Sequence, residues 1–314
     1  MASNLYALHA VKINATTLTQ VGNLAMTNEL ADHLISNGTG QPVFISTQTA
    51  SPTFSFQTTE LKRVLDLLAT PWRGLKIEDG VESPVIMYLQ KIDEFGARSV
   101  AAGSFITVTI ANALIVPMTL PFSDGPAATI TLQVIPIATS VETAPVVVAT
   151  AQNDPSLTLT ADEVFTAGPC RINAATISPT ANVNVQNGSI EFGIQTEIIR
   201  GDGVIWPKQV SIVGQNPVAR LTLTDHTPLS ALGMAGTAQG ADDSTIFLTK
   251  CTQDGARVAR ATAQHISFAF DAGRIHCPGF NSGAVNAMTS QLEIRPTFDG
   301  TNVIAAVNTA TAIT

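Results

Sequence analysis

The side chains of this chain that could perform catalysis or bind a metal are scattered and form no recognisable motif. Its five histidines are His9, His33, His226, His265 and His276. Their spacing matches no metal-binding pattern, and the motifs H-E-x-x-H, G-x-S-x-G and G-x-x-x-x-G-K do not occur in the sequence. We therefore expect no catalytic residue, no metal and no cofactor, and predict that the protein is not an enzyme.

Three other features of the sequence could suggest a ligand, but each has a simpler explanation. Gly201-Asp202-Gly203 lacks the third glycine of a dinucleotide-binding loop and is typical of a hairpin tip. Asp242-Asp243 is a single acidic pair in a loop rich in glycine and alanine, which favours a solvated loop over a cation site. Trp72 and Trp206 could stack against a sugar, but they occupy unrelated positions of the repeat described below, which favours packing.

The composition disfavours binding to nucleic acid through charge. Charged residues make up only 13% of the chain, the net charge is −8, and no Lys or Arg occurs between Arg98 and Arg171. A surface without a basic stripe cannot neutralise phosphates, and an acidic one repels DNA. Because a freely soluble monomer usually carries more charge, the low value favours a chain whose surface is largely covered by partners.

The cysteines and the apolar segments bear on the compartment. The chain has three cysteines, Cys170, Cys251 and Cys277, and no C-x-x-C motif. We therefore expect buried free thiols in a reducing cytoplasm. The N-terminus has neither the basic start nor the apolar run of a signal peptide. Leu114–Val116 and Val146–Val148 are far too short to cross a bilayer, so we expect no membrane partner.

The chain contains an internal repeat. Ile13–Leu18 returns as Ile172–Ile177 at an offset of 159 residues (172 − 13), and Gly96–Arg98 returns as Gly255–Arg257 at the same offset. Further matches at offsets of 159 to 161 are Lys91 with Lys250, Leu114 with Ile275, Pro117 with Pro278, and Ala127–Pro136 with Ala287–Pro296. Solenoid repeats run roughly 20–50 residues, so this period indicates a duplicated globular domain. We predict a first domain at 1–138, a linker at 139–160 and a second domain at 161–314.

The elements that make up each half are mainly strands. Apolar and polar residues alternate with a period of two, as in Thr129–Val134 and Gln291–Arg295, and this is typical of strands with one buried face. Turn dipeptides separate them: Asn37-Gly38, Asp79-Gly80, Asp124-Gly125, Asn187-Gly188, Asp254-Gly255 and Asp299-Gly300. One helix is predicted in each half, at about Thr59–Ala69 and at Thr224–Leu232. We expect a mainly β protein with two tandem homologous β-sandwich domains, each with one flanking α-helix.

The parts of the two halves come in the same order. A long loop at Asn37–Gly40 precedes the first helix, and the turn Gly96–Arg98 follows it. Next come the strand that reaches Leu114–Pro117 and the strand that begins at Ala128. The second half repeats this order from Asn187-Gly188 through Gly255–Arg257 to Met288-Thr289. In this order of its parts the chain resembles a phage tail tube protein.

This resemblance implies stacked six-domain rings around a DNA channel. Two fused domains imply a homotrimer with pseudo-sixfold symmetry, in which the sheets join into a ring or barrel on oligomerisation. The implied partners are other copies of the chain and other tail proteins, namely the terminator, the tape measure and the distal tail. Double-stranded DNA would pass through without specific binding, and the protein would be located in the virion after assembly in the host cytoplasm.

Two sets of residues are candidates for roles in such a ring. The polar residues that could line the lumen are Thr107, Thr109, Thr129, Thr131, Gln133, Ser267, Gln291 and Glu293. Arg98 and Arg257 occupy equivalent positions of the repeat. Either they are exposed residues of hairpin turns, or they reach equivalent acidic partners across equivalent domain interfaces.

Other functions fit parts of the pattern. A tail terminator, a distal-tail hub or a capsid decoration protein would also form a ring or a smaller assembly. A two-domain carbohydrate-binding adhesin is an alternative from another class, but it would require export and exposed aromatic residues. The aromatic content is only 5%.

Overall fold

A computed structural model describes residues 5–37, 39–140, 143–157, 164–172, 182–201, 203–224, 232, 235–239, 244–252, 254–270, 272–281, 288–298 and 305–313. The chain is mainly β and consists of several antiparallel sheets, which confirms the prediction from the alternating sequence pattern. Within the described residues, no helix is long and apolar enough to span a membrane.

Among the described residues, ten strands precede residue 158. They are β1 Leu5–Ile13, β2 Thr16–Leu18, β3 Val21–Ser36, β4 Pro42–Thr58, β5 Leu75–Ile77, β6 Val85–Ile92, β7 Phe105–Ile110, β8 Asn112–Ser123, β9 Ile130–Ile137 and β10 Val147–Gln152. Twelve follow. They are β11 Val164–Ile172, β12 Asn182–Val183, β13 Val185–Glu191, β14 Ile194–Ile199, β15 Gln209–Gln215, β16 Val218–Leu223, β17 Thr237–Gln239, β18 Ser244–Cys251, β19 His265–Phe270, β20 Gly273–Asn281, β21 Thr289–Pro296 and β22 Ala305–Thr311.

The strands form one long sheet, two five-stranded sheets and a separate hairpin. The five-stranded sheets have the orders β10-β7-β6-β1-β2 and β12-β11-β18-β19-β22. The long sheet has the order β17-β20-β21-β16-β13-β8-β9-β4-β3, with β5 paired to β8, and it therefore contains strands from both halves. One core cluster unites residues of all three sheets, including Phe56, Ile110, Ile190, Phe268 and Ile294. Since burial of each large apolar side chain contributes about 1.5–3 kcal/mol, this cluster holds the sheets together.

The first predicted helix is present and lies close to its predicted bounds. The α-helix α1 spans Leu61–Leu68, and a 3₁₀ turn follows at Pro71–Arg73. Its apolar stripe is buried as the sequence predicts: Leu61, Val64, Leu65 and Leu68. The carboxylate of Glu60 accepts hydrogen bonds from the backbone N–H groups of Thr19 (2.5 Å) and Gln20 (2.7 Å), which ties the start of the helix to the turn after β2. Most of the second predicted helix, residues 225–231, lies outside the described residues.

The strand order repeats along the chain. The sheet order β10-β7-β6-β1 corresponds to β22-β19-β18-β11, and β1 and β11 begin 159 residues apart (164 − 5). Both pairings of these first strands contain a register shift, after Leu8 in β1 and after Ala167 in β11. Isolated bridges join Ile92 to Arg98 and Cys251 to Arg257 at equivalent places. The repeat therefore extends from the sequence to the pairing of the strands.

The segment 139–160, predicted as a linker, contributes a strand. Within it, β10 pairs with β7, so that Val148 lies opposite Val108. This segment thus forms the edge of the first five-stranded sheet before the chain continues to β11. The predicted domain boundaries themselves stay a prediction.

Candidate assembly interface

The two halves meet at one strand pair inside the long sheet. There, β13 lies antiparallel to β8, with Ile190 opposite Leu120 and Ser189 opposite Pro121. Ile190 and Leu120 both have 0% exposure. This β8–β13 junction makes one sheet out of strands that belong to different copies of the repeat.

Each strand of this junction has an equivalent elsewhere in the chain. The pair Ile115–Val134 in β8–β9 corresponds to Ile275–Ile294 in β20–β21, at an offset of 160. Both pairings shift register, between Pro117 and Thr119 in β8 and between His276 and Gly279 in β20. After its shift, β8 pairs Thr119 with Thr131. Beyond its own shift, β20 pairs Gly279 with Gln291 and Phe280 with Ser290. Phe280 therefore occupies the position of Leu120.

The equivalent of β13 is the first part of β3. Met26 lies opposite Phe54 in β4, as Ile190 lies opposite Ala219 in β16. The strands β4 and β16 correspond because Pro52 and Pro217 precede these positions by the same two residues. Met26 therefore occupies the position of Ile190.

The equivalent positions differ completely in burial. Phe280 is 60% exposed and Met26 is 58% exposed, whereas Leu120 and Ile190 are fully covered. In the part of the chain that the structure describes, β20 pairs only with β17 and β21, and β3 pairs only with β4. Among the described residues, the long sheet thus ends in two open edges, the part of β20 beyond its pairing with β17 and the first part of β3, and each is equivalent to an edge that is closed at the β8–β13 junction. Open, apolar edges are sites where another chain can add strands.

A second contact between the halves lies on the face of the long sheet that points away from the main core. The hairpin β14–β15 lies over β8 and β9 and encloses a separate aliphatic cluster. Its members are Leu114, Val116, Ile135, Ile137, Ile194, Ile198, Val210 and Ile212. Backbone hydrogen bonds from Ala50 to Ile205 (2.8 Å) and from Ala138 to Pro207 (2.7 Å) fix the loop of the hairpin to the first half.

Gly193 lets this hairpin bend away from β13. It has φ of +62°, and a Cβ there would overlap the carbonyl oxygen of Asn216, which lies between β15 and β16. A residue with a side chain would be strained in this conformation and would also collide. Next to it, Phe192 packs on Trp72 of the first half, with ring centroids 5.0 Å apart.

The hairpin β3–β4 is the equivalent of β14–β15 in the first half, and its outer part is exposed. Leu34 lies opposite Ile45 in β3–β4, as Ile198 lies opposite Val210 in β14–β15. Its exposed apolar side chains are Leu30, Leu34, Ile35, Val43, Phe44 and Ile45. The sequence alone suggested only a loop around Asn37–Gly40, because the offset changes to 164 and 165 here and the repeat becomes hard to see.

The face of the second half that corresponds to the aliphatic cluster is charged. Arg274 lies opposite Arg295 in β20–β21, as Leu114 lies opposite Ile135 in β8–β9. Beside them, Glu293 forms an ion pair with Arg295 and a second one with Arg220 at 3.1 Å. Desolvation by burial raises the pKa of Glu293, but hydrogen bonds from Arg295 and Arg220, with the charges of Arg295 and His276, outweigh it and hold the pKa below its ordinary value.

The structure divides the predicted lumen-lining residues between different sheets. Those on the long sheet are Thr131, Gln133, Gln291 and Glu293, and Thr129 immediately precedes β9. The others lie in the five-stranded sheets, Thr107 and Thr109 on β7 and Ser267 on β19. Ser267 and Glu293 are buried, whereas Gln291 is exposed. Because residues of different sheets do not share a face, the two groups do not form one surface.

Arg257 lies at a contact between the halves. Its guanidinium forms an ion pair with the carboxylate of Asp124, just after β8. Arg98, at the equivalent turn, is exposed. It lies near His9, whose pKa is lowered first by burial and then by the positive charge of Arg98.

The other residues that the sequence singled out do not come together. Among the described residues, no group of three His, Cys, Asp or Glu side chains is placed to bind a metal ion. Cys170, Cys251 and Cys277 are buried, and none of them forms a disulfide. Trp72 is buried against Phe192 and so does not offer an exposed stacking face. The pair Asp242-Asp243, as well as His226, lies outside the described residues.

No protein-family model matches this chain, and a search of the curated proteins finds no match either.

Proposed function

We propose that copies of this chain join edge to edge into a closed ring, and that the rings stack into a tube of the phage tail type through which DNA passes. The β8–β13 junction is the observation that supports this most directly. It is a head-to-tail contact between two equivalent units, and such contacts generate rings when the rotation between units closes. One chain supplies two units, so that a homotrimer would supply six.

The proposed contact between chains repeats the junction within the chain. The edge of β20 pairs with the edge of β3 from the next copy, with Phe280 opposite Met26 and Gly279 opposite Thr27. Two exposed apolar side chains then become buried, each of which contributes about 1.5–3 kcal/mol. Closure of the ring also removes both open edges.

In this assembly each half is a β-sandwich with a flanking helix, and the long sheets join into one barrel. The face of the long sheet opposite the core carries Thr131, Gln133 and Gln291, which we assign to the lumen. Arg220 lies on the same face but is bound to Glu191 and Glu293. Its charge is therefore compensated, and a wall of hydroxyl, amide and paired groups lets DNA pass without specific binding.

The same proposal includes the partners and the location that the resemblance implies. The tube would be capped by a terminator, contain a tape measure and end on distal tail proteins. The chain would assemble in the host cytoplasm and remain in the virion. It would have no enzymatic activity, and a turnover assay with common hydrolase substrates tests that part of the proposal.

The test of the ring uses the two open edges. In the variant Met26→Cys with Phe280→Cys, mild oxidation is expected to give a ladder of covalent multimers that ends at a closed species and disappears on reduction. Directly opposed residues of antiparallel strands have Cβ atoms about 4.5–5.5 Å apart, near the range that a disulfide spans. The control replaces Phe280→Cys by Phe95→Cys, since Phe95 is an exposed residue in a turn away from both edges.

Microscopy and sedimentation complete the test. Negative-stain images of the unmodified protein are expected to show rings and long hollow tubes, and Phe280→Asp should leave only single chains. Rings that never stack would instead favour a terminator, a hub or a decoration protein. A wild-type protein that remains monomeric at every concentration would overturn the proposal.

A further inference from the structure

We infer that the β3–β4 hairpin of one copy lies across the charged face of the second half of the neighbouring copy, with Asp32 facing Arg274 and Arg295. This inference rests on the proposed ring and specifies a second contact between the same two chains. Within one chain, the β14–β15 hairpin lies across the first half. The inferred contact would be the equivalent one between two chains.

The two hairpins correspond residue for residue. Leu30 lies opposite Ala50, as Ile194 lies opposite Gln215. Both hairpins then shift register at the same place, between Ala31 and Asp32 in β3 and between Gln195 and Thr196 in β14. Beyond this shift the pairing is again the same. The two are therefore the same structural element. The β14–β15 hairpin lies on a sheet, whereas the outer part of the β3–β4 hairpin lies on none among the described residues.

Comparison of the two hairpins identifies the face of the β3–β4 hairpin that we expect a neighbouring chain to cover. Ile194, Ile198 and Val210 are in the aliphatic cluster under the β14–β15 hairpin. Their counterparts Leu30, Leu34 and Ile45 are about three-fifths exposed, at 59%, 58% and 61%. Asp32 occupies the position of Thr196, on the same face as Leu30 and Leu34, because side chains alternate along a strand.

The receiving face has a net positive charge, because the arginines outnumber the carboxylates there: Arg220, Arg274 and Arg295 against Glu191 and Glu293. Arg274 and Arg295 stand where Leu114 and Ile135 lie under the β14–β15 hairpin. The hairpin carries the acids Glu29 and Asp32, and no Lys or Arg occurs between Lys12 and Lys62. Asp32 on the hairpin would be attracted to Arg274 and Arg295, whereas it would be repelled by a surface rich in carboxylates. The aliphatic stems of the arginines can cover Leu30, Leu34 and Ile45 at the same time.

The proposed position also requires a bend. The β14–β15 hairpin leaves its sheet at Gly193, and the equivalent residue of β3 is Glu29. In the single chain β3 continues through Glu29 without interruption. Docking on a neighbour would therefore bend the first hairpin near Asn28–Glu29 as the ring forms.

A charge-reversal series tests the ion pair. Asp32→Arg is expected to lower the yield of rings at low salt at least about fivefold, since it places like charges face to face. Combining it with Arg274→Glu should restore the yield to within about twofold of the wild type. His33→Arg is the matched control, because the side chain of His33 points to the other face of the hairpin, and it should change the yield less than about twofold. Urea unfolding of each variant as a single chain shows that folding is unchanged.

A disulfide pair separates this inference from the ring itself. Leu34→Cys with Arg274→Cys should give reducible covalent multimers, whereas Ile35→Cys with Arg274→Cys should not. If the Met26–Phe280 cysteine pair cross-links but the Leu34–Arg274 pair does not, and Asp32→Arg assembles normally, the hairpin contact is wrong and the ring stands. If neither pair cross-links and the wild type is monomeric, the ring and the hairpin contact are both wrong.

Discussion

The outer faces of the two halves have the same strands but opposite chemistry. In the first half the part of the face around Leu114 and Ile135 is aliphatic and the β14–β15 hairpin covers it, whereas in the second half the equivalent part carries Arg274 and Arg295, with Glu293 beside them, and is open. The covered face meets its partner as soon as the chain folds, so it can be fully apolar. In the proposed assembly the open face stays in water until a second copy binds, and charge limits the self-association of such a surface. The proposal therefore assigns the charged one of the two equivalent surfaces to the contact with another chain.

The edges of the long sheet also differ between covered and exposed positions, but here the exposed residues are apolar rather than charged. Leu120 and Ile190 are buried within the chain, while Phe280 and Met26 remain apolar and exposed. An edge that must pair by backbone hydrogen bonds and side-chain burial cannot be made fully polar without losing the pairing. The edges therefore retain the risk of aggregation that the charged face avoids.

The largest expected effect comes from a charge at the closed junction. Ile190→Asp places a carboxylate among fully buried side chains and should lower the free energy of unfolding by about 3–5 kcal/mol. The equivalent change Met26→Asp should leave the unfolding of the single chain within about 0.5 kcal/mol of the wild type and abolish assembly instead. Urea denaturation and sedimentation measure the two outcomes. Equal destabilisation by both variants would mean that the β3 edge is already covered in the single chain.

A cavity under the hairpin should have the next largest effect. Ile135→Ala removes a buried side chain from the aliphatic cluster and should lower the free energy of unfolding by about 2–3 kcal/mol. Arg295→Ala, at the equivalent position of the open face, should lower it by less than about 1 kcal/mol. Urea denaturation of the two variants side by side checks this. A larger loss for Arg295→Ala would mean that the open face is already buried in the single chain.

The bend of the second hairpin depends on Gly193. Gly193→Ala should lower the free energy of unfolding by about 2 kcal/mol, because the left-handed conformation and the overlap with Asn216 both oppose a side chain. It should also release the β14–β15 hairpin to proteases, which peptide mapping would detect. Glu29→Ala, the matched change in the first hairpin, should alter neither measurement in the single chain.

The smallest expected effect is on pH dependence. The pKa of Glu293 in the folded chain lies below its ordinary value, so its ion pairs stabilise the fold above the ordinary carboxylate pKa of about 4.3. That contribution is lost as the pH falls through the lower, folded-state pKa. Glu293→Gln should therefore be less stable than the wild type by up to about 1 kcal/mol at pH 7, with the gap closing toward pH 3. A gap that is constant with pH would show that the carboxylate charge contributes nothing.

Local patterns in the sequence were sufficient for some of the elements, but not for the β3–β4 hairpin or for β10. The alternation around Thr129–Val134 predicts β9, and the apolar stripe within Thr59–Ala69 predicts α1, because both depend on neighbours along the chain. The offset of 159 residues likewise predicts that the strand order repeats. These features follow from backbone periodicity and from turn residues, which operate over a few positions.

Only the tertiary structure decided which strands became neighbours. Alternation shows that Thr107 and Thr131 each lie on a polar face, but the first is in a five-stranded sheet and the second in the long sheet. No local pattern shows that β13 pairs with β8, or that Met26 and Phe280 are left at open edges, because pairing between distant strands depends on the packing of the whole core. The sequence by itself therefore determined a duplicated, mainly β chain, whereas the three-dimensional arrangement determined which strand edges are covered within the chain and which stay open.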